Sequence, residues 1–140
     1  YTVVLMQGSG TFGVESVLTS VVGENEKLLI IANGAYGQRM ANICQHAKVN
    51  HEIIEFAENE NPSAKVIAEK LDEDLAITHV AMVHSETTSG ILNDIASVAK
   101  VVKERNKIFI VDAMSSFGGV DIEVGKLGID FIISSANKCI

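Results

Sequence analysis

Residues 131–140 read FIISSANKCI, an apolar run typical of a buried strand that is followed at once by small polar residues and a lysine. Lys138 stands just past the end of this predicted strand, with Ser134, Ser135 and Asn137 beside it. A lysine in this position resembles a reactive amine more than a solvated surface charge. We interpret Lys138 as a Schiff-base lysine; the ordinary alternative is a surface lysine whose ammonium group reaches into solvent.

Strand-like apolar runs of this kind alternate with helix-period segments along the whole chain, the pattern of an α/β domain with a mainly parallel sheet. In the helical segments, apolar residues recur at positions i, i+3, i+4 and i+7. The predicted strands cover residues 1–6, 27–32, 51–56, 79–83 and 108–111, with a final one starting at Phe131. The predicted helices cover residues 14–21, 40–47, 64–71, 95–102 and 122–127.

Some single residues refine these elements. Pro62 suits the first turn of the third helix, and Asn93 or Asp94 is a suitable cap for the fourth. Cys44 falls on the apolar face of the second helix, where a structural thiol is the expected role.

The composition describes one ordinary globular domain. A chain of 140 residues, 47% hydrophobic and 21% charged, is long enough for one core and too short for two. The net charge of -7, with no run of basic residues, argues against a nucleic-acid or anionic-membrane partner.

Cysteine use and hydropathy predict the compartment. Cys44 and Cys139 have no metal-ligand spacing, so we expect free thiols in a reducing environment and no metal site. Neither a membrane-spanning stretch nor a signal peptide is recognisable. These features predict a cytoplasmic protein. Because the chain opens inside an apolar run and closes two residues after Lys138, we expect it to be a fragment of a larger protein.

The unusual polar stretches all follow predicted strands. In an open parallel sheet, ligands bind beyond the carboxyl ends of the strands, where loops and helix N-termini converge. We therefore expect one shared site formed by residues 9–11, 33–37 and 84–90 together with Asp112 and Lys138.

Gly8, Ser9, Gly10 and Thr11 open the first predicted helix. Their backbone N–H groups and the hydroxyls of Ser9 and Thr11 could hold a phosphate at the positive helix end. A glycine turn with Thr11 as a helix cap is an equally good reading. The stretch is neither a complete GxGxxG motif nor a P-loop.

Asp112, at the tip of an apolar strand, is a more specific signal. A carboxylate there is costly unless it meets a cation or several donors. An aspartate facing a protonated pyridine nitrogen, together with an imine-forming lysine, is the pair that pyridoxal phosphate requires. A Mg²⁺ ligand, with Glu86 as the candidate second carboxylate, and a helix-capping role are the alternatives.

Other polar side chains could complete this site. Tyr36, between two glycines, could lie flat on a cofactor ring, although a half-buried tyrosine with a hydrated hydroxyl is the ordinary alternative. His84 could pack nearby, or be a hydrogen-bonded structural histidine. Hydroxyl groups for a phenolic oxygen or phosphate are supplied by Thr87, Thr88, Ser115 and Ser116.

Five stretches, in this order and spacing, resemble the class V aminotransferases of the fold type I pyridoxal phosphate superfamily. These stretches are GSGTFGVES, NGAYGQRM, VHSETTSGILN, VDAMSSFGG and SSANKCI, and the resemblance covers essentially the whole chain. It implies a three-layer α/β/α sandwich around a mainly parallel sheet. It also implies that residues 1–140 are the central part of the cofactor-binding large domain, without the flanking parts of the parent enzyme.

The resemblance further implies a role for each matching residue. Lys138 would carry pyridoxal 5'-phosphate as a Schiff base and shuttle the proton, and Asp112 would pair with the pyridine nitrogen. Ser9, Gly10 and Thr11 would bind the phosphate, and Tyr36 would stack on the ring. Thr87 would contact the phenolic oxygen, and Ser116 and Asn137 would line the pocket.

The implied reaction is amino transfer from 2-aminoethylphosphonate to pyruvate, giving phosphonoacetaldehyde and alanine. Relatives that use alanine and glyoxylate have a tryptophan where Tyr36 stands and a glutamine where Asn137 stands, which favours the phosphonate branch. Alanine:glyoxylate or serine:pyruvate transamination remains the alternative. A non-catalytic phosphate- or nucleotide-binding module is another, although Asn33 stands where a ribose-binding acid would be expected.

The resemblance also implies what this chain lacks. The family's small domain, with the arginine expected to grip the anionic end of the substrate, lies outside it. Residues from the second subunit of a homodimer also enter the family's site. We therefore expect no appreciable turnover by these 140 residues alone.

Overall fold

The computed structural model describes residues 1–139 as alternating helices and strands. The strands are β1 Lys27–Ala32, β2 His51–Glu55, β3 Ile77–Val83, β4 Ser85–Glu86, β5 Ile91–Leu92, β6 Ile108–Asp112 and β7 Phe131–Ile133. The helices are α1 Gly10–Val21, α2 Ala35–Ala47, α3 Ala64–Glu73, α4 Ile95–Glu104 and α5 Val124–Leu127.

Five of these strands form one parallel sheet in the order β2-β1-β3-β6-β7. In its centre, Ile30 of β1 lies opposite Ile53 of β2 and Ala81 of β3. The strands β4 and β5 pair separately as a short antiparallel hairpin. All carboxyl ends of the main sheet therefore meet at one edge, as the sequence predicts.

Successive side chains of the central strands enter two different cores. Leu29 and Ile31 of β1 pack in a cluster with residues of α3 and α4. Leu28 and Ile30, one position earlier in each case, pack with residues of α1 and α2. Full burial of such a side chain contributes about 1.5–3 kcal/mol. The helices thus cover both faces of the sheet, and the predicted three-layer α/β/α architecture is confirmed.

Three helices begin with a capping side chain from the local sequence. Ser9 caps α1, Ser63 caps α3, and Asp94 caps α4, each accepting a hydrogen bond from a backbone N–H in the first turn. Pro62 precedes the cap of α3 rather than lying in its first turn. The N-cap position of α2 is Gly34, which has no side chain to offer.

The prediction of a strand at residues 1–6 is wrong. This segment has no regular structure, and Val3 and Leu5 are 83% and 92% exposed. An apolar run becomes a strand only where another strand satisfies its backbone groups. Within the described residues, the segment pairs with no strand of the sheet.

Smaller differences concern element boundaries. Tyr36, expected in a loop, lies in the first turn of α2, because that helix already starts at Ala35. The predicted polar loop 84–90 contains the strand β4. The short helix predicted over residues 122–127 is only the turn Val124–Leu127. In the described part of the chain, none of the helices is both long and apolar enough to cross a membrane.

Candidate functional site

A cleft opens at the carboxyl edge of the sheet, where β3, β6 and β7 end beside the first turns of α1 and α2. Nine residues singled out from the sequence line it together. They are Gly10, Thr11, Tyr36, Thr87, Asp112, Ser115, Ser135, Asn137 and Lys138. The lining runs from Gly10 to Lys138, so residues near opposite ends of the chain share one site.

Asp112 ends β6 and is only 4% exposed. Its Oδ1 accepts a hydrogen bond of 2.9 Å from the Met114 N–H, and in the described chain no donor contacts Oδ2. Burial raises the pKa of this carboxyl group, as does the nearby Glu86 carboxylate, while the Met114 N–H and the charge of Arg39 lower it. A protonated nitrogen in the cleft would supply the cation that this carboxylate lacks.

The N-terminus of α1 forms another wall of the cleft through Gly10 and Thr11. Ser9 does not line the cleft; its hydroxyl accepts a 3.3 Å hydrogen bond from the Phe12 N–H and so caps the helix. A Cβ atom at position 10 would collide with Sδ of Met114, so a larger residue there would displace the Met114 side chain in the cleft. The remaining N–H groups of the first turn give this wall a positive potential suited to an anion.

Tyr36 and Arg39 project from successive turns of α2. The Arg39 guanidinium lies over the Tyr36 ring, 4.7 Å from its centroid, and Nη1 donates to Thr11 Oγ1 at 3.4 Å. A cation over an aromatic face restricts the orientation of both groups. The contact with Thr11 places a positive charge beside the N-terminus of α1.

Lys138 and Asn137 reach the cleft from the segment that follows β7. Both side chains are exposed, and Asn137 Oδ1 accepts a hydrogen bond from the Ser135 hydroxyl. Lys138 and Asp112 thus line the same cleft from neighbouring strands, since β6 pairs with β7.

The hydroxyl residues divide into two groups. Thr87 and Ser115 line the cleft, with their oxygens 2.8 Å apart. Ser116 does not line it; it is 1% exposed, and its hydroxyl donates to the Ala113 carbonyl at 3.4 Å. The predicted lining role of Ser116 is carried by its neighbour Ser115.

Other polar residues of the predicted site lie outside the cleft lining. Asn33 is buried and donates to the Asn93 side chain at 2.7 Å and to the Glu60 carbonyl at 2.9 Å. His84 is also buried, away from the cleft lining, and burial lowers its pKa. Its backbone N–H donates to the Asp112 carbonyl at 2.8 Å, which ties the end of β3 to that of β6.

The lining residues Arg39, Val83 and Met114 were not singled out from the sequence as site residues. Arg39 follows Tyr36 by three positions, so helical spacing could have placed it on the same face once the start of α2 was known. Nothing in the sequence indicated that Met114 lines the cleft, because an apolar residue shortly after Asp112 is expected to belong to the hydrophobic core.

The alternative of a Mg²⁺ site at Asp112 and Glu86 finds no support in the described contacts. The Glu86 carboxylate is bound by N–H groups of α2 and by a hydroxyl. Among residues 1–139, no group of three or more His, Cys, Asp or Glu side chains is arranged to hold a metal ion.

The combined architecture defines a class of protein. A parallel sheet between two helical layers, with a lysine and a buried aspartate in the cleft at its carboxyl edge, is that of the fold type I transferases. The chain belongs to the aminotransferase class-V family, whose family model matches residues 1–140. The family predicted from the sequence is confirmed.

Curated relatives match over the full 140 residues. A 2-aminoethylphosphonate–pyruvate transaminase of Bacteroides fragilis is 54% identical, and one of Vibrio cholerae is 56% identical. A bifunctional phosphonoacetaldehyde hydrolase/aminoethylphosphonate transaminase of Clostridioides difficile is 53% identical. The chain spans 39%, 38% and 22% of the length of these three proteins.

Solved structures share the fold. Pyridoxamine–pyruvate aminotransferase from Mesorhizobium loti superposes with a TM-score of 0.88 at 29% identity, over 94% of this chain and 34% of its own. Ureidoglycine–glyoxylate aminotransferase from Bacillus subtilis superposes with a TM-score of 0.87 at 27% identity, over the same shares of the two chains.

Proposed function

We propose that the whole protein is a pyridoxal-phosphate-dependent aminotransferase that moves the amino group of 2-aminoethylphosphonate to pyruvate. The observation that carries the proposal is that Lys138 and Asp112 line one cleft, since this chemistry requires both an imine-forming lysine and a carboxylate for the pyridine nitrogen. The substrate choice is supported by the names of relatives that are 53–56% identical over all 140 residues.

The residues of the cleft fit the cofactor. Gly10 and Thr11, in the first turn of α1 capped by Ser9, would hold the phosphate, and Arg39 adds a cation beside them. The unpaired Oδ2 of Asp112 would accept from the pyridine nitrogen. Bound there, pyridoxal phosphate supplies an electron sink for the carbon from which the amino group leaves.

The protein's side chains have distinct tasks in this proposal. Asp112 would keep the ring nitrogen protonated, because a buried carboxylate without its own cation favours a charged partner. Lys138 would hold the cofactor through its amine and would serve as the acid and base that moves a proton at the reacting carbon. Because Arg39 covers one face of the Tyr36 ring, a planar ligand would stack on the other.

The remaining proposed contacts come from loops around the cleft. Thr87, whose hydroxyl lies 2.8 Å from that of Ser115, would bond the phenolic oxygen, and Asn137 would line the pocket beside Lys138. Ser116 would support this wall from behind through its bond to Ala113. Groups that grip the anionic ends of the substrates belong to the rest of the protein, because this chain spans about two fifths of its relatives. Residues 1–140 alone would then show no appreciable turnover.

We also propose that the whole protein is a cytoplasmic homodimer. The free thiols Cys44 and Cys139 support a reducing compartment. The exposed apolar side chains of residues 3–6 support burial against further protein.

The experiment that tests the function uses the full-length enzyme reconstituted with pyridoxal phosphate. Borohydride reduction followed by peptide mapping should place the cofactor on Lys138, and 2-aminoethylphosphonate should convert the cofactor's absorption band in single-turnover mixing. Alanine and serine serve as competing amino donors. Faster conversion by alanine or serine would defeat the substrate assignment, and scattered lysine labelling would defeat the cofactor site.

A further inference from the structure

Glu86 is a fully buried carboxylate that lies against the first turn of α2. Its Oε2 accepts from the Tyr36 N–H at 3.2 Å and from the Gly37 N–H at 3.4 Å, and Oε1 accepts from the Thr88 hydroxyl at 3.0 Å. Burying a carboxylate without such donors is costly. In the described chain its partners are therefore the positive end of a helix and a hydroxyl, not a basic side chain.

The start of α2 depends on this remote group. Gly34, at the N-cap, offers no side chain, and the first turn contains no acidic residue. A Cβ atom at position 34 would collide with Cγ and Cδ of Glu86, so only glycine leaves room for the carboxylate. Glu86 thus supplies, from 50 positions away, the cap that the local sequence lacks.

The first turn of α2, which Glu86 caps, forms one wall of the cleft. Tyr36 gives its N–H to Glu86 and its ring to the cleft. Arg39, one turn later, lies over that ring and reaches Thr11 of α1. The position of the ring and of the cation beside α1 therefore follows from how the first turn of α2 is anchored.

Glu86 also acts on the electrostatics of the cleft. Its carboxylate is close enough to Asp112 to disfavour the negative charge there, and its own charge is compensated by the N–H groups of α2. Both carboxylates would attract a cationic nitrogen bound at Asp112. The attraction to Asp112 would be the stronger, because Asp112 is the nearer of the two.

We infer that Glu86 is a positioning residue for the cofactor: it anchors the first turn of α2, orients the Tyr36 ring, and adds a negative charge near Asp112. The inference rests on the proposed binding of pyridoxal phosphate in this cleft. It assigns to Glu86 no contact with the cofactor or the substrate.

Two substitutions at position 86 of the full-length enzyme distinguish the effect of side-chain length from the effect of side-chain charge. Glu86→Gln keeps the length of the side chain and removes its charge, while Glu86→Asp keeps the charge and withdraws it from α2 by one methylene. The matched control is Glu73→Gln, the same change at an exposed position in α3. Thr88→Ala removes the hydroxyl partner and leaves the contacts with α2.

The first measurement is the Kd of the apoenzyme for pyridoxal phosphate, taken well below the melting temperature of each variant. We expect both Glu86 variants to bind about tenfold more weakly or worse, because charge-assisted hydrogen bonds to the helix are lost or lengthened. Glu73→Gln should match the wild type, and Thr88→Ala should change the Kd by less than about threefold.

The second measurement is the pH midpoint of the bound cofactor's visible absorption band. Glu86→Gln should move it to lower pH, because removing a negative charge disfavours protonation of the cofactor, whereas Glu86→Asp should leave it close to that of the wild type. A role in stability alone would not separate the two variants in this way. If Glu86→Gln does not fold, the Kd of Glu86→Asp for pyridoxal phosphate tests the inference.

Either of two results would overturn the inference. One is a Kd within twofold of the wild type for the Glu86 variants while Tyr36→Ala binds weakly. The other is a wild-type apoenzyme that does not bind pyridoxal phosphate at all, which would overturn the proposed function as well.

Discussion

At the scale of single residues, the site depends on two buried carboxylates with opposite surroundings. Glu86 is satisfied by N–H groups and a hydroxyl, whereas Asp112 has one N–H donor in the described chain. The same chemical group, a carboxylate, therefore anchors a helix in one place and lacks a cation partner in the other. The difference comes from neighbours that are distant in sequence.

Asp112→Asn should stabilise the cofactor-free protein and disable the enzyme. Because burial raises the folded-state pKa of Asp112, the ionised group opposes folding above its ordinary range, and this penalty grows as the pH rises through the raised value. The neutral amide avoids this penalty and keeps an acceptor for the Met114 N–H. Thermal unfolding of the apoprotein at several pH values should show a higher melting temperature for the variant, most clearly near neutral pH.

The same substitution should lower kcat of the full-length enzyme by about 100-fold or more, because loss of one preorganised electrostatic partner has effects of this size. Asp121→Asn is the matched control, since Asp121 is exposed and lies outside the cleft lining. An Asp112→Asn enzyme with nearly wild-type turnover would contradict its pairing with the cofactor.

At the scale of elements, the sheet is tied to α3 by charges at the opposite edge from the cleft. Lys27 of β1 donates to Glu52 of β2 at 2.8 Å and to Asp74 after α3 at 2.5 Å. Lys70 of α3 also pairs with Glu52. These partly exposed charges connect three elements in one network and leave the cleft edge free for the site.

This network predicts a dependence of stability on pH. Lys27 holds the pKa values of Glu52 and Asp74 below their ordinary ranges. A carboxyl group with a lowered folded-state pKa stabilises the fold above its ordinary range, and this stabilisation is lost as the pH falls through the folded-state value. Lys27→Met should therefore lower the free energy of unfolding at neutral pH, and the gap to the wild type should narrow as the pH falls below the ordinary ranges of Glu52 and Asp74.

Urea unfolding at a series of pH values would measure this effect. Lys65→Met is the matched control, because the Lys65–Glu69 pair is long, at 3.8 Å, and highly exposed, and such pairs contribute little. A gap between Lys27→Met and the wild type that does not narrow at acid pH would show that packing of the lysine stem, not its charge, is responsible.

At the scale of the whole molecule, the two helical layers protect one thiol and expose another. Cys44 lies in the core between α2 and the sheet, and burial raises its pKa to about 11. Cys139 is exposed beside Lys138. Because the thiolate is the reactive species, the folded chain should contain one accessible and one protected cysteine.

A thiol reagent at about pH 8 should therefore modify Cys139 rapidly and Cys44 only when the α2 layer opens, since about one thousandth of a thiol with this pKa is ionised there. The residue 1–140 chain, with Cys139→Ser to isolate the slow thiol, provides the measurement. Adding urea should raise the rate for Cys44 in step with global unfolding. Equal rates for both thiols in the absence of denaturant would contradict the packing of α2 against the sheet.

The sequence by itself determined the class of fold, because apolar periodicity depends only on local order along the chain. The runs at 27–32, 51–56 and 108–111 become strands, and the α/β/α layers follow from their alternation with amphipathic helices. It also indicated Lys138 and Asp112, because polar groups directly after buried strands must meet at the carboxyl edge of a parallel sheet.

Only the tertiary structure decided which apolar and polar segments have partners. Residues 1–6 have the same apolar pattern as a strand, yet in the described chain no neighbouring strand satisfies their backbone groups. Ser115 rather than Ser116 lines the cleft, and Glu86 anchors α2 instead of joining Asp112 at a metal. The physical reason is that pairing, burial and capping are interactions between distant parts of the chain, and local sequence does not contain them.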